Sequence, residues 1–269
     1  IKLIQSNGLP NNWLGKNHGC YQLAKQAKGE FYLFIDADVK LYGNIIENAA
    51  FYLKQNNLGL LSFFPVQIQE TLGEKASVPI MNYILLTLLP LIFVHHSPFN
   101  SHAAANGQFM LFNATIYNET QPHKRFKSSA VEDISIARFF KKEKIKIACV
   151  TGDKRIKCRM YKSYSEAAEG FSKNISMFFG NKLILVFLFW FFVSFGSVFV
   201  FLNHSKYFIL YLAATLIIQL IYSLVSKQNT LLNIFLFPVQ LFFLFQVLIK
   251  SIVRKRSKQL LWKGRNIYS

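Results

Sequence analysis

Residues 16–28 place Cys20, Leu23, Ala24 and Ala27 at i, i+3, i+4 and i+7, the spacing of one helical face, with Gly29 set to close the helix. The next run, FYLFI at 31–35, is apolar throughout and stops at Asp36, as a strand buried on both faces of a parallel sheet does. Ile45, Ile46, Ala49 and Leu53 then mark a second helix, and LGLLSFF at 58–64 a second strand ended by Pro65. Strand, helix, strand predicts a right-handed parallel crossover. Charged and apolar residues alternate from Lys144 to Cys149, the pattern of an edge strand. The first 182 residues therefore read as an α/β domain.

The pattern then changes. Residues 183–202 run for twenty positions without a charge, enough to cross a hydrocarbon core of about 30 Å at about 1.5 Å per residue. Two more apolar segments follow at 207–225 and 231–249, the last interrupted by Pro238. Ahead of them, Tyr164, Ala168, Phe171, Ile175 and Phe178 share a helical face within 163–180, which predicts an interfacial helix feeding the first span. The run at 83–94 is too short to span and breaks at Pro90, so it reads as a buried or membrane-surface helix. The expected division is a catalytic domain at 1–182 and a membrane domain at 183–269.

Composition sharpens this. The chain is 52% hydrophobic with 28 Phe and only 16% charged residues, too apolar for an ordinary soluble domain. Of the 31 basic residues nine fall in 183–269, where no acid occurs, so any chemistry needing Asp or Glu is confined to the first two-thirds. Lys250, Arg254, Lys255, Arg256, Lys258, Lys263 and Arg265 follow the last apolar segment, which places this tail on the cytoplasmic side. If residues 1–182 are cytoplasmic as well, the number of crossings must be even. One of the three segments is then re-entrant or interfacial, and the Pro238 segment is the first choice. The net charge of +18 suits anionic headgroups, and no nucleic-acid-binding motif is present, so no nucleic-acid partner is expected. Cys20, Cys149 and Cys158 form neither a CxxC pair nor a metal-ligand spacing with histidine, which indicates a reducing compartment and no structural zinc.

Several short stretches could carry chemistry. Asp36-Ala37-Asp38 directly follows a strand, at the end where open α/β sheets bind ligands. Two carboxylates there can hold a divalent cation that neutralises a diphosphate, although a lone DxD is more often a solvated turn. Glu132-Asp133 opens an amphipathic helix. Acids in a first turn cap helices, and the same position suits a general base aimed into a cleft. Asn106-Gly107-Gln108 is either an ordinary turn or a backbone turn beside a ligand. Trp13-Leu14-Gly15-Lys16 offers a cation and free N–H groups at a helix start, a candidate phosphate cradle. Arg159 could be a second diphosphate clamp or could meet lipid. His95, His96 and His102 cluster without ligand spacing, so a non-metal role is favoured.

The order of these stretches is more specific than any one of them. WLGK, FYLFIDADV, NGQF, VED, RMY with GFSKN, and WKGRNIY after the apolar segments together resemble the membrane-bound family 2 glycosyltransferases, over nearly the whole chain. Within that family the likeness is to the bacterial carotenoid- and hopanoid-associated branch. The resemblance implies a GT-A-like (Rossmann-like) catalytic domain, a nucleotide-sugar donor such as a UDP-sugar, a Mg or Mn cation, inversion at the anomeric carbon, and a lipid acceptor such as a carotenoid or other polyprenoid. It further implies Asp36 and Asp38 as the metal-binding pair, with Asp38 the direct ligand, and Asp133, beside Glu132, as the catalytic base. Lys16 and Arg159 would lie on the donor diphosphate, and Asn106, Gly107, Gln108, Trp262 and Arg265 on the substrate side. The (Q/R)xxRW pattern of processive relatives is reduced to Arg159, with Ile156 and Met160 at its other positions, which argues for a single transfer to a lipid rather than polymer synthesis. The family's N-terminal nucleotide-binding half would precede Ile1, so the chain is expected to be part of a longer protein. The expected setting is the cell membrane, multi-pass, with the catalytic domain facing the cytoplasm. The competing readings are a truncated non-catalytic membrane protein, and a transferase acting on a glycolipid or polysaccharide.

Overall fold

The computed structural model describes residues 3–6, 8–257, 261–262 and 265–266. The chain folds into two compact units, one of residues 1–66 with 89–158, the other of residues 67–88 with 159–269.

The first unit is built on a four-stranded sheet. Its strands are β1 (Phe31–Ile35), β3 (Leu60–Phe64), β5 (Phe109–Asn113) and β6 (Ile147–Thr151), in the order β1-β5-β3-β6. β5 runs antiparallel to both neighbours, with Phe31 opposite Asn113 and Leu60 opposite Phe112, while β3 and β6 are parallel, with Leu60 opposite Ile147. β1 and β3 thus point the same way, but the expectation of a parallel pair is corrected: β5 lies between them. Its sequence FMLFN is itself an apolar run, buried over its first four residues, and so can occupy a central slot covered on both faces. β6 sits at the sheet edge, as the alternation from Lys144 predicts, although the strand proper begins at Ile147.

Period-two alternation divides the β5 side chains between two cores. Met110 and Phe112 face one cluster with Tyr32, Leu60, Ile147 and the helix residues Ile136, Ala137 and Phe140. Phe109 and Leu111 face the other, with Leu61, Ala148 and Ile45, Ala49 and Leu53 of α2 (Ile45–Gln55). Ile46, expected on the inner face of α2, is 44% exposed.

α1 (Gly15–Gln26) ends two residues earlier than expected, at an extended Ala27 rather than at Gly29. Its inner face also differs. Asn17, His18 and Ala24 are buried and Leu23 is half-exposed, because the Asn17 amide donates to three carbonyls, Phe126 O at 2.8 Å, Ser129 O at 3.0 Å and Lys127 O at 3.2 Å. Satisfying that loop's backbone fixes the helix rotation more strongly than burying one leucine. β2 (Val39–Leu41) pairs antiparallel with β7 (Ile156–Cys158), Val39 opposite Cys158. The chain leaves the unit through β4 (Val66–Gln67) and returns to α5 (Ile92–His96). α6 (Ala114–Thr120) and α7 (Pro122–Arg125) then lead to α8 (Glu132–Lys142).

The second unit holds α3 (Leu72–Lys75), α4 (Pro79–Leu88), α9 (Tyr164–Asn174), α10 (Leu183–Asn203), α11 (Phe208–Val225) and α12 (Thr230–Ser257). The division expected at residue 182 is replaced by one in which 67–88 and 159–182 belong with the apolar helices. The cause is a shared core, in which Ile80 and Ile84 of α4 and Ala167, Phe171 and Ile175 of the α9 region pack with Val186, Tyr222, Phe243 and Leu244. The run at 83–94 breaks at Pro90 as expected, its halves lying in α4 and α5, one in each unit. Ser163 caps α9, its hydroxyl accepting from the Glu166 N–H.

Among the described residues three helices, Leu183–Asn203, Ser205–Val225 and Thr230–Ser257, are long and apolar enough to cross a membrane. α12 passes through Pro238 without a break for 28 residues.

Candidate functional site

Lys16, Asp36, Gly107, Glu132 and Asp133 come from four separate stretches of the first unit and converge on one point. β1 delivers Asp36 at its carboxyl end, and its N–H donates to Gln108 O at 3.2 Å, tying the DxD turn to the NGQ turn. α1 projects Lys16 from its first turn, and α8 presents Glu132 and Asp133 from its own. The Lys16 ammonium lies 3.1 Å from Asp36 Oδ1 and 3.0 Å from Glu132 Oε1, joining the two acidic motifs.

Gly107 leaves room for this. A Cβ there would stand 2.7 Å from Lys16 Nζ, 3.4 Å from Asp133 Oδ2 and 3.5 Å from Glu132 Oε1. Its N–H instead donates to Asp133 Oδ2 at 2.9 Å, while Asp133 Oδ1 accepts from the N–H of Ile134 at 2.8 Å. The turn itself is locked locally. Asn106 Oδ1 accepts from the Gln108 N–H at 2.9 Å, and the Asn106 N–H donates to Ser62 Oγ at 2.7 Å. Gln108 is buried and its amide donates to Cys158 Sγ at 3.0 Å. That thiol also faces the Asp38 carboxylate, and burial, with Asp38 next, pushes its pKa up.

The electrostatics follow from burial. Glu132 is buried and Asp133 half-buried. Desolvation raises both carboxyls above their ordinary range, and for Glu132 the neighbouring Asp133 adds to the rise, Lys16 opposing it in each case. Burial disfavours the Lys16 ammonium, but Glu132 and Asp36 more than reverse this, so its pKa is raised and it stays charged. A carboxyl with a raised pKa is suited to accepting a proton near neutrality.

Asp36 and Asp38 offer hard oxygen donors. Among the described residues no group of three or more His, Cys, Asp or Glu is placed to hold a metal. A two-carboxylate site is nevertheless what Mg²⁺ uses when substrate phosphates complete its shell, so the donor chemistry fits.

The remaining candidates lie elsewhere. Arg159, in the second unit, is engaged by Glu74 (2.8 Å) and Glu70. Burial would raise the Glu74 carboxyl, but hydrogen bonds from Arg159, the Glu70 N–H and Thr71 outweigh it and bring it down to about 2. Trp262 and Arg265 pair across a short hairpin of β8 (Leu261–Trp262) and β9 (Arg265–Asn266), and their side chains lie outside the described residues. His95 Nδ1 faces Ile147 O at 3.4 Å, and His102 Nδ1 faces Ser97 Oγ at 2.7 Å. Ser62 and Cys158 support the NGQ turn without any signal in the sequence. Each is a small polar residue inside a strand, and only the fold brings it to the turn.

Comparison with known proteins points to the class of enzyme the sequence resembles. No family model matches the chain. It is similar to a curated glycosyltransferase. That relative is the 4,4'-diaponeurosporenoate glycosyltransferase of Staphylococcus haemolyticus (strain JCSC1435), 26% identical over 170 residues, a match covering 62% of this chain and 45% of the relative. The chain therefore matches less than half the length of that protein, and the resemblance read in the sequence is borne out at this level.

Proposed function

We propose that the chain is the acidic-site and membrane portion of an inverting glycosyltransferase that moves a sugar from a nucleotide-sugar donor, a UDP-sugar, to a lipid acceptor of the carotenoid or polyprenoid type at the cytoplasmic face of the cell membrane. The observation that carries this reading is the convergence of the DxD acid Asp36 and the base pair Glu132–Asp133 on one ammonium, Lys16. A solvated strand-end turn and an isolated helix cap would have no reason to meet.

In this reading Asp36 and Asp38 hold a Mg or Mn ion, which when bound neutralises the diphosphate leaving group. Lys16 adds a fixed positive charge beside it. The Asp133 carboxylate accepts the proton of the acceptor hydroxyl as that oxygen attacks the anomeric carbon, and the Gly107 N–H holds the carboxylate in place through Oδ2. Asn106 and Gln108 shape the acceptor side. Membranes containing the full-length protein are expected to release UDP from a UDP-sugar, and Asp38→Ala is expected to remove that release. Metal-independent release, or none with any nucleotide sugar, contradicts the assignment.

A further inference from the structure

The three apolar helices of the second unit are each long and apolar enough to cross a membrane, but their contacts differ. Gly196 of α10 lies against the Tyr211 phenol of α11, which sets the level of the antiparallel hairpin. Counting back from this contact, Ser223 is level with the first turn of α10, and Trp190 lies about 10 Å in from Leu183 at about 1.5 Å per residue.

Every polar anchor of α12 to another helix, among the described residues, meets this base or the elements that precede it. Near its start, the Asn233 amide donates to Ser223 Oγ at 2.9 Å. In its middle, the Gln240 amide donates to Lys75 O at the end of α3 at 3.1 Å. Trp190 Nε1 donates to Leu241 O at 3.0 Å, and the Trp190 ring stacks on Phe245 at 4.5 Å. Near its end, the Arg254 guanidinium donates to Ser172 Oγ at 2.7 Å and Glu169 O at 2.9 Å, both on α9 before the first span begins. From Asn233 to Arg254 an α-helix advances about 32 Å, the thickness of a hydrocarbon core. Its hydrogen bonds to the hairpin, to Ser223 and from Trp190, nevertheless stay within about two turns of the hairpin's base.

We infer that α12 does not cross the bilayer but lies in its plane against the base of the α10–α11 hairpin, with lipid at the headgroup boundary as the partner of its outward face. That face carries Leu231, Phe235, Phe242 and Val253, all more than half exposed, and is followed by the exposed cations Lys255 and Arg256, the apolar-plus-cationic pattern of an interfacial helix on anionic lipid. Pro238 agrees with this placement. It cannot donate to the Ile234 carbonyl, and water at the headgroup level can pair a carbonyl freed in this way.

The test is labelling of single cysteines in the full chain by a membrane-impermeant maleimide, in right-side-out and inverted vesicles, with Cys20→Ser as background. Lys227→Cys, in the α11–α12 turn, and Lys255→Cys, at the end of α12, are expected to label from the same face, and Lys206→Cys, at the tip of the hairpin, from the other. Labelling of positions 227 and 255 from opposite faces overturns the inference. Asn229→Cys and Ser257→Cys repeat the comparison if either lysine variant fails to accumulate.

Discussion

At Gly107 the absent side chain has a definite role, since a methyl there would stand 2.7 Å from the Lys16 ammonium. Because that ammonium is the far end of a flexible chain, Gly107→Ala is expected to push Lys16 aside rather than unfold the protein. Turnover should fall by about tenfold or more, while thermal stability stays within about 0.5 kcal/mol of the parent. Asp133→Asn would remove the proposed proton acceptor. Transfer to a hydroxyl acceptor is expected to fall by roughly 10² to 10⁴, and transfer to a carboxylate acceptor, ionised already, by much less. Equal loss with both acceptors rejects the role of base. The raised carboxyl also has a sign. The rate with a hydroxyl acceptor should decline as pH falls through a value above the ordinary aspartate 3.8, since only the ionised form accepts a proton.

The residues of this site were legible as short motifs because each sits where an element begins or ends: Asp36 after FYLFI, Glu132 before an amphipathic helix, Lys16 at a helix start. Their meeting was not legible. Ser62 and Cys158 hold the NGQ turn from strands whose patterns advertise only burial, and Lys16 joins acids 20 and 116 positions away, a separation no local pattern records.

Among the elements, α11 meets α10 where Gly196 gives way to the Tyr211 phenol. Gly196→Leu is expected to destabilise the pair by about 1–3 kcal/mol, read as a lower thermal midpoint in detergent. Glu74, fully buried in α3, is shifted in the opposite direction to Asp133. Its value near 2 lies below the ordinary glutamate 4.5, so it stabilises the fold above that ordinary value and the contribution disappears as pH drops toward 2. The unfolding midpoint should fall steeply over this window in the parent and be lower at neutral pH but flatter in Glu74→Gln. Element existence followed from hydropathy, while neighbour order did not. The apolar run FMLFN carries no mark saying that it will enter between β1 and β3, and the rotation of α1 depends on Asn17 meeting carbonyls more than a hundred residues away.

For the molecule as a whole, composition alone announced a membrane protein, and the α10–α11 hairpin should keep the chain in the pellet after an alkaline carbonate wash that strips peripheral proteins. The linear division at residue 182 did not survive, because α4 and α9 bury their apolar faces against the membrane helices and not with the sheet that precedes them in sequence. Hydropathy counts apolar residues but is blind to what they touch, so a helix lying in the membrane plane and one crossing it give the same signal.

The shared ammonium of Lys16 has a consequence for the order of events. Asp36 and Glu132 draw on a single positive charge, so a diphosphate that pulled Nζ toward the donor side would leave the Glu132–Asp133 pair with weaker positive compensation and a greater hold on protons. The acceptor's proton would then be taken up most readily once the sugar donor is seated, and by thermodynamic reciprocity a bound proton would tighten the donor in turn. Steady-state kinetics with both substrates varied would read this as synergy, the pH dependence of the rate shifting with donor saturation.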